Sequence, residues 1–490
     1  MQAAQWERLI TEAAQGRNIR THSGKVRSGD IFVALPGEKV HGVAFLSQAL
    51  EQGASWAVVP ADADLSQEQE GRIVRHSDPR QALGELARAR YGTNRISASL
   101  IGITGTNGKT TVSYLVEHLF RENGFRVGVM GTISYRWQGH EEQAGLTTPD
   151  CLTVHETLQR MEGSGVELIC MEVSSHALEQ HRLAGIAFDA ALFLNLTQDH
   201  LDYHQDMEAY FQSKSRLFAH HLRDGCKAVV NCDDPYGRRL LREQGMQRGF
   251  GMRTGCLDLS WCLQGRLLQA DREGLRLEMA HGGRSWELNS PLVGVHNGSN
   301  LLAAQAIGLA LGLDERQLQT LSDFRGVPGR LEWVANPAGL HVFVDYAHTP
   351  DALENVLLSL GELDFSRIIV VFGCGGDRDR RKRPLMGHVV STYADVAVLT
   401  SDNPRHEDPR AIMEDVLPGM DGRARLLQEV DRRRAIERAL DDLGPDDVLL
   451  IAGKGHEAYQ QIGDSKLPFS DTGVVQELLQ PWARCLSNGQ

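Results

Sequence analysis

Gly102-Ile-Thr-Gly105-Thr-Asn-Gly108-Lys109-Thr110-Thr111 decides how the rest of the chain is read. It follows the apolar run Leu100 to Ile103 and opens a stretch with helical spacing from Thr110 to Asn123, which predicts a strand turning into a helix. At such a turn small residues let successive backbone N–H groups converge on phosphate oxygens, and the helix N-terminus adds its dipole. Lys109 is placed to reach terminal phosphates, and the Thr110 hydroxyl is a magnesium ligand by type. Gly105, Thr106, Asn107, Gly108, Lys109, Thr110 and Thr111 are therefore expected to hold a nucleotide. The stretch departs from the strict phosphate-loop pattern: Ile103 stands where the first glycine would fall, with Gly102 and Gly105 on either side.

Outward from this loop, apolar runs at 126–130, 166–173, 188–196 and 227–231 alternate with amphipathic stretches. Nearly continuous apolar strands are what a parallel sheet covered on both faces requires. Residues 255–293 alternate polar and apolar between glycine turns, which predicts antiparallel strands, and a helix is expected from Asn297 to Leu311. After Val327-Pro-Gly-Arg330 the alternation restarts, with strands expected at 341–346, 367–372, 396–400 and 448–452. Ahead of the loop, residues 30–92 read as a small mixed unit that ends in the polar link Gly92-Thr-Asn-Arg95. The chain is thus predicted to be α/β with three domains, over residues 1–94, 95–327 and 328–490.

The whole chain has 490 residues and a formal net charge of −13, which argues against a nucleic-acid binder. With 41% hydrophobic and 23% charged residues it has the composition of an ordinary globular protein. The eight cysteines form no Cys-x-x-Cys pair, and they are expected to be buried free thiols in a reducing cytosol. The first residues lack the apolar core of a secretory leader, and no run is long enough to span a bilayer. A cytoplasmic protein that does not insert in membranes is expected.

Other polar clusters fall after predicted strands, where open α/β sheets bind ligands. Glu172 lies in Met171-Glu-Val-Ser-Ser-His176 and His200 in Asn195-Leu-Thr-Gln-Asp-His-Leu-Asp-Tyr-His204; both are candidate metal ligands. Asp345-Tyr-Ala-His-Thr-Pro350, Asp402-Asn-Pro-Arg405 and Gly453-Lys-Gly-His-Glu457 follow strands of the last unit. The basic run Arg378 to Arg383 reads either as a solvated turn or, beside these clusters, as part of a second binding face.

Taken in order, these motifs resemble the Mur ligase family over nearly the whole chain. Gly105 to Thr111, Met171 to His176, Asn195 to His204, His296-Asn-Gly-Ser-Asn300, Gly329-Arg-Leu-Glu332, Asp345 to Pro350 and Gly453 to Glu457 carry the likeness. The resemblance implies an N-terminal domain for a uridine nucleotide, a central phosphate-loop ATPase domain with a small antiparallel sheet, and a C-terminal Rossmann-like domain for an amino acid. It implies ATP-driven amide formation through an acyl phosphate, in peptidoglycan precursor synthesis, by a monomer.

By the same resemblance Lys109, Glu172, His200 and Lys214 are catalytic. Thr110 and Glu172 would hold one magnesium ion, while His200 and Lys214, as a carbamate, would hold a second. Asn297, Arg330 and Asp345 would contact ATP. Ser23, Glu38, Lys39, Val40, Thr147, Thr148, Ser174, Gln180 and Arg182 would bind the UDP-N-acetylmuramoyl dipeptide. Where many relatives carry Asp-Ser-Arg, this chain reads Thr21-His-Ser-Gly-Lys25, so Lys25 or Arg27 would replace the arginine. Arg378, Asp402, Asn403, Pro404, Arg405, Gly453 and Glu457 would bind the amino acid, and the Asp-Asn-Pro-Arg pattern points to meso-diaminopimelate, whose distal carboxylate suits a guanidinium. A lysine-adding ligase of the family, a folylpolyglutamate synthetase and a non-catalytic nucleotide-binding regulator are the competing readings.

Overall fold

The computed structural model describes residues 2–37, 40–65, 72–199, 201–253 and 259–487. They form two compact units, Met1–Gln264 with Leu302–Thr320 and Gly265–Leu301 with Leu321–Gln490. Glu38, Lys39 and His200 lie outside the described residues.

The first unit begins with a small parallel sheet in the order Ile19–Arg20, Ile31–Val33, Trp56–Pro60 and Ile73–His76. Helices Gln2–Ala14 and Pro79–Tyr91 cover one face with Leu9, Ala13, Leu83 and Leu86, and helix Leu46–Glu51 helps close the other. Asp78 starts the second helix by accepting from the amides of Arg80 and Gln81, and Pro79 fixes its first turn.

A larger sheet follows in the same unit. Its strands run in the order Arg248–Gly251, Leu222–Asn231, Phe188–Phe193, Ser99–Thr104, Leu168–Glu172 and Val127–Met130, all parallel. Ser134–Trp137 and His140–Gln143 extend one edge antiparallel. Ile101, Ile103, Ile169, Cys170 and Leu192 are fully buried, as the continuous apolar runs require. Each such aliphatic side chain contributes roughly 1.5–3 kcal/mol by leaving water.

The stretch expected to be antiparallel is so only in part. Gly274–His281 and Arg284–Ser290 pair antiparallel, but Trp261 to Gln264 pair parallel with Arg248 to Gly251. Alternating polarity fixes which face a strand buries and says nothing of its direction, so the sequence pattern could not distinguish the two. A second correction concerns the cysteines: Cys232 is disulfide-bonded, whereas Cys151, Cys170, Cys226, Cys262 and Cys374 are free thiols.

In the second unit a sheet runs in the order Glu332–Trp333, His341–Asp345, Val448–Ala452, Ile368–Phe372, Val396–Leu399 and Arg425–Gln428. Only the first pairing is antiparallel. Helices Pro350–Gly361 and Lys382–Tyr393 pack on one face and Arg432–Asp441 and Asp471–Ser487 on the other. Arg432 and Asp471 form an ion pair that is wholly buried, at 2.7 Å. No described helix is long and apolar enough to cross a membrane.

Candidate active site

The phosphate loop leaves the carboxyl end of strand Ser99–Thr104 and enters helix Lys109–Glu122. Gly108, at φ 85°, occupies the left-handed region as the residue before the helix, and no side chain caps that end. The helices that start after Asp78, Asp150, Ser174, Asp206 and Asp234 all have a side-chain cap. An uncapped N-terminus keeps its amides for a ligand. The loop is instead fixed from outside: Asn107 N donates to Asn195 Oδ1 at 2.8 Å and Asn195 Nδ2 donates to Asn107 O at 3.1 Å. Gly105 cannot be larger, since a Cβ there would stand 2.9 Å from Leu194 Cβ. Gly102 lies within the strand, against Phe188 and Leu217, and takes no part in the loop.

Strand register brings the next groups beside the loop. Ile103 pairs with Glu172, and Thr104 with Phe193. The Glu172 side chain is buried, with Oε2 accepting from the hydroxyls of Thr110 (3.0 Å) and Thr132 (2.8 Å). Its Oε1 accepts from Ser113 Oγ at 3.3 Å and Thr132 N at 3.1 Å. Lys214, on helix Met207–His220, is buried; its Nζ donates to Gly105 O at 2.9 Å and lies 4.7 Å from the Tyr210 ring centroid. Lys109 Nζ donates to the same oxygen at 2.8 Å and to Thr106 O at 2.9 Å. Burial, with the positive charge of Lys109 second, holds the Lys214 ammonium well below its ordinary range against the opposing pull of Asp199.

Carboxylate and hydroxyl oxygens of this kind suit a hard divalent cation. Among the described residues no group of three His, Cys, Asp or Glu side chains could hold a metal; the donors here are Glu172 and Thr110, whose hydroxyl proton can rotate away.

A third cluster joins the same strand ends. Thr148 Oγ1 donates to Glu172 O at 2.8 Å and accepts from Ser174 N at 3.0 Å. Arg182 donates to Thr148 O at 2.8 Å and, through Nε and Nη2, to Gln180 Oε1. Gln180 Nε2 reaches the Tyr203 hydroxyl, and Thr147 Oγ1 lies 3.1 Å from Thr132 Oγ1. Ser23 stands apart from these, buried and donating to Gln48 Oε1 at 2.7 Å, while Lys25, Arg27 and Val40 are exposed.

The second unit gathers its candidates at the carboxyl ends of its strands. Asp345 is buried and accepts from Leu331 N (2.6 Å) and Ala347 N (2.7 Å); burial still pushes its carboxyl up against the charge of Arg330 and these two amides. The Arg330 guanidinium lies 5.1 Å from the Tyr346 ring centroid, and its buried Nε has no partner. Asn297 accepts from Asn300 Nδ2 at 2.9 Å near the start of helix Val295–Ala310.

Asp402, Asn403 and Pro404 are buried after strand Val396–Leu399. Asn403 Nδ2 donates to Glu457 Oε2 at 2.8 Å, and Lys454 Nζ donates to both Asn403 Oδ1 and Glu457 Oε2 at 3.1 Å. Asp402 Oδ2 is buried without a partner and faces Gly453, whose φ of 114° and lack of Cβ allow the approach; a Cβ would stand 2.6 Å away. Arg405, at φ 50°, donates from Nη1 to Gly376 O at 2.8 Å, and Arg378 packs beside it over Gly375. A buried lone carboxylate oxygen, a second carboxylate and two guanidinium groups suit a zwitterion with a further charged end.

Several participants had no individual sequence signal. Asn195 was legible only as part of its motif, and Thr132 and Ser113 look like ordinary loop and helix residues. In the basic run, Arg383 is fully buried, bonded to Glu407 and Asp415 at 2.8 Å each. Lys382 donates to His348 O at 2.7 Å, and burial holds its ammonium below the ordinary value. The run is therefore divided: Arg378 to Arg381 form an exposed turn, as the first reading expects, while Lys382 and Arg383 open the following helix and are partly or wholly buried.

A glycine-rich turn into an uncapped helix on the first large sheet and a charged loop at the strand ends of the second suit the class of ATP-dependent acid–amino-acid ligases. The chain belongs to the Mur ligase family: the model for the family's catalytic domain matches residues 17–91, that for the Mur ligase middle domain 103–308, and that for the Mur ligase glutamate ligase domain 329–455. It is 50% identical over 457 residues to the UDP-N-acetylmuramoyl-L-alanyl-D-glutamate--2,6-diaminopimelate ligase of Lawsonia intracellularis (strain PHE/MN1-00), covering 93% of this chain and 95% of that one. The protein of that name from Thermosynechococcus vestitus is 43% identical, over 96% of this chain and 95% of its own. A solved structure of a UDP-N-acetylmuramoyl-L-alanyl-D-glutamate--2,6-diaminopimelate ligase superposes with a TM-score of 0.70 at 32% identity, covering 95% of each chain. A Mycobacterium tuberculosis folylpolyglutamate synthase, at 20% identity and a TM-score of 0.59, shares the fold alone.

Proposed function

We propose that this chain uses ATP to join meso-2,6-diaminopimelate to the D-Glu γ-carboxylate of UDP-N-acetylmuramoyl-L-Ala-D-Glu, releasing ADP and phosphate in the cytoplasmic synthesis of peptidoglycan precursors. The Asp402 to Arg405 loop carries the choice of amino acid. Arg405 and Arg378 pair with the distal carboxylate in a bidentate geometry, and a substrate lacking that carboxylate leaves them unpaired. Asp402 and Glu457 receive ammonium groups.

The amides of Gly105 to Thr111 and Lys109 cradle the phosphates of ATP, while Asn297, Arg330 and Asp345 hold the remainder of the nucleotide. Thr148, Ser174, Gln180 and Arg182 orient the dipeptide so that the D-Glu carboxylate meets the γ-phosphate; Thr147 supports them. Ser23, Glu38, Lys39 and Val40 receive the uridine end. Thr110 and Glu172 would hold one magnesium ion, and His200 with a carbamate on Lys214 a second; when bound, these cations neutralise charge on the transferring phosphoryl oxygens. Lys109 contributes the same kind of stabilisation directly. The amine of the incoming amino acid then displaces phosphate from the acyl phosphate. Residues 1–94, 95–327 and 328–490 each serve one substrate of a monomeric enzyme.

The test is phosphate release from ATP and UDP-N-acetylmuramoyl-L-Ala-D-Glu with either meso-diaminopimelate or L-lysine. Turnover confined to diaminopimelate is expected. Equal turnover with lysine would refute the specificity, and none with either would refute the activity.

A further inference from the structure

Arg80 makes two contacts that its place on a surface helix does not require. From the first turn of helix Pro79–Tyr91 its Nη1 donates to Gln180 O at 2.9 Å and its Nη2 to Pro36 O at 2.8 Å. Pro36 follows strand Ile31–Val33, and beside it Gly42 N donates to Leu35 O at 2.9 Å. Gln180 belongs to the cluster that continues through Arg182 and Thr148 to the main chain of Glu172. One planar cation therefore links the two loops, 44 residues away on one side and 100 on the other.

The surroundings hold this helix firmly. A Cβ on Gly84 would stand 2.4 Å from Ala184 Cβ, and one on Gly185 would stand 2.7 Å from Gly84 O, so the helix meets the segment after Gln180 backbone to backbone. His155 Nε2, by donating to Ala184 O at 2.9 Å, fixes the same segment from behind. His181 Nδ1 lies 3.8 Å from Asp78 Oδ2 at the helix start. With the elements already docked by glycine contacts, the double donation of Arg80 sets the position of the Pro36 and Gln180 carbonyls relative to each other.

We propose that Arg80 is a positioning residue that couples recognition of the uridine end of the nucleotide sugar to placement of its dipeptide end. This rests on the assignment of Ser23 to Val40 and of Thr148 to Arg182 as the two ends of one substrate site. The uridine end acts at the Pro36 carbonyl, and Arg80 carries the position of that carbonyl to the Gln180 carbonyl. Lysine at this position keeps the charge, but its donors radiate from one nitrogen and lack the planar fork by which Nη1 and Nη2 reach separate carbonyls.

The experiment compares UDP-N-acetylmuramoyl-L-Ala-D-Glu with N-acetylmuramoyl-L-Ala-D-Glu, which lacks the uridine diphosphate, as acceptors for the full-length wild type, Arg80→Ala and Arg80→Lys. Arg80→Ala should raise KM for the nucleotide substrate about tenfold, leaving kcat and the KM values for ATP and diaminopimelate within about twofold. The truncated acceptor should be used equally well by all three proteins, and Arg80→Lys should fall between wild type and alanine while melting close to wild type. An equal loss on both acceptors would mean Arg80 only supports the fold, and an unchanged KM would mean it does nothing; either overturns the coupling. No turnover of the nucleotide substrate by the wild type would overturn the assignment of the activity, and the coupling with it.

Discussion

Lys109 and Lys214 donate to one and the same oxygen, the carbonyl of Gly105, at 2.8 and 2.9 Å. Two ammonium groups converging on one acceptor repel each other, and burial together with the charge of Lys109 pushes the Lys214 pKa well below its ordinary value. A neutral buried amine is the form that reacts with carbon dioxide, which would replace a repelled cation by an anionic oxygen ligand. Lys214→Ala is expected to lower phosphate release about a thousandfold, with partial recovery when short carboxylic acids are added. Wild-type rates in Lys214→Ala would remove the carbamate from the mechanism.

Glu172 accepts four hydrogen bonds from Thr110, Ser113 and Thr132. Glu172→Gln keeps the volume but replaces one acceptor oxygen by a donor that faces these hydroxyls. A kcat loss of about a hundredfold or more is expected, with KM for the amino acid unchanged. Retention of most of the activity at limiting magnesium would show that the carboxylate holds no cation.

His155 supplies a pH-dependent contribution to stability. It is buried, accepts from Thr93 Oγ1 at 2.6 Å and donates to Ala184 O at 2.9 Å, and burial lowers its pKa from 6.5 to about 4. The folded state therefore binds the proton less readily than the unfolded chain. The contribution is complete above pH 6.5 and is lost as the pH falls towards about 4, by up to roughly 3 kcal/mol. Denaturant melts at pH 7.5 and 4.5 should show a smaller loss for His155→Gln than for wild type; parallel losses would mean that other groups carry the acid sensitivity.

Selectivity should reside in Arg405. Arg405→Ala is expected to raise KM for meso-diaminopimelate about a hundredfold and to leave KM for ATP unaltered. Arg405→Lys should recover little, because an ammonium cannot match the bidentate geometry. If Arg405→Ala still prefers diaminopimelate over L-lysine to the wild-type degree, the clamp lies elsewhere.

The parts of this architecture that sequence made legible are those where burial on both faces leaves no polar residue. Ile368–Phe372 and Val448–Ala452 are buried at every position, and their apolar runs announce them. Strands with mixed exposure, such as Arg425–Gln428 and Ile19–Arg20, had no such mark. Pairing direction was also hidden, as Trp261–Asp271 shows. The phosphate loop and Glu172 were readable because their chemistry is local to a strand end. Arg383 was not, since Glu407 and Asp415, which neutralise it, lie 24 and 32 residues further on. Cys232 likewise gave no spacing signal for a disulfide.

Arg405 holds its φ of 50° in a region that a residue with a Cβ enters at a cost of about 1–2 kcal/mol. Glycine would relieve that cost, so Arg405→Gly should yield a chain at least as hard to unfold and yet indifferent to the far end of its amino acid. Discrimination and durability pull in opposite directions at this one backbone position. A search for hardier variants would drift towards glycine there unless the choice of substrate were also under selection.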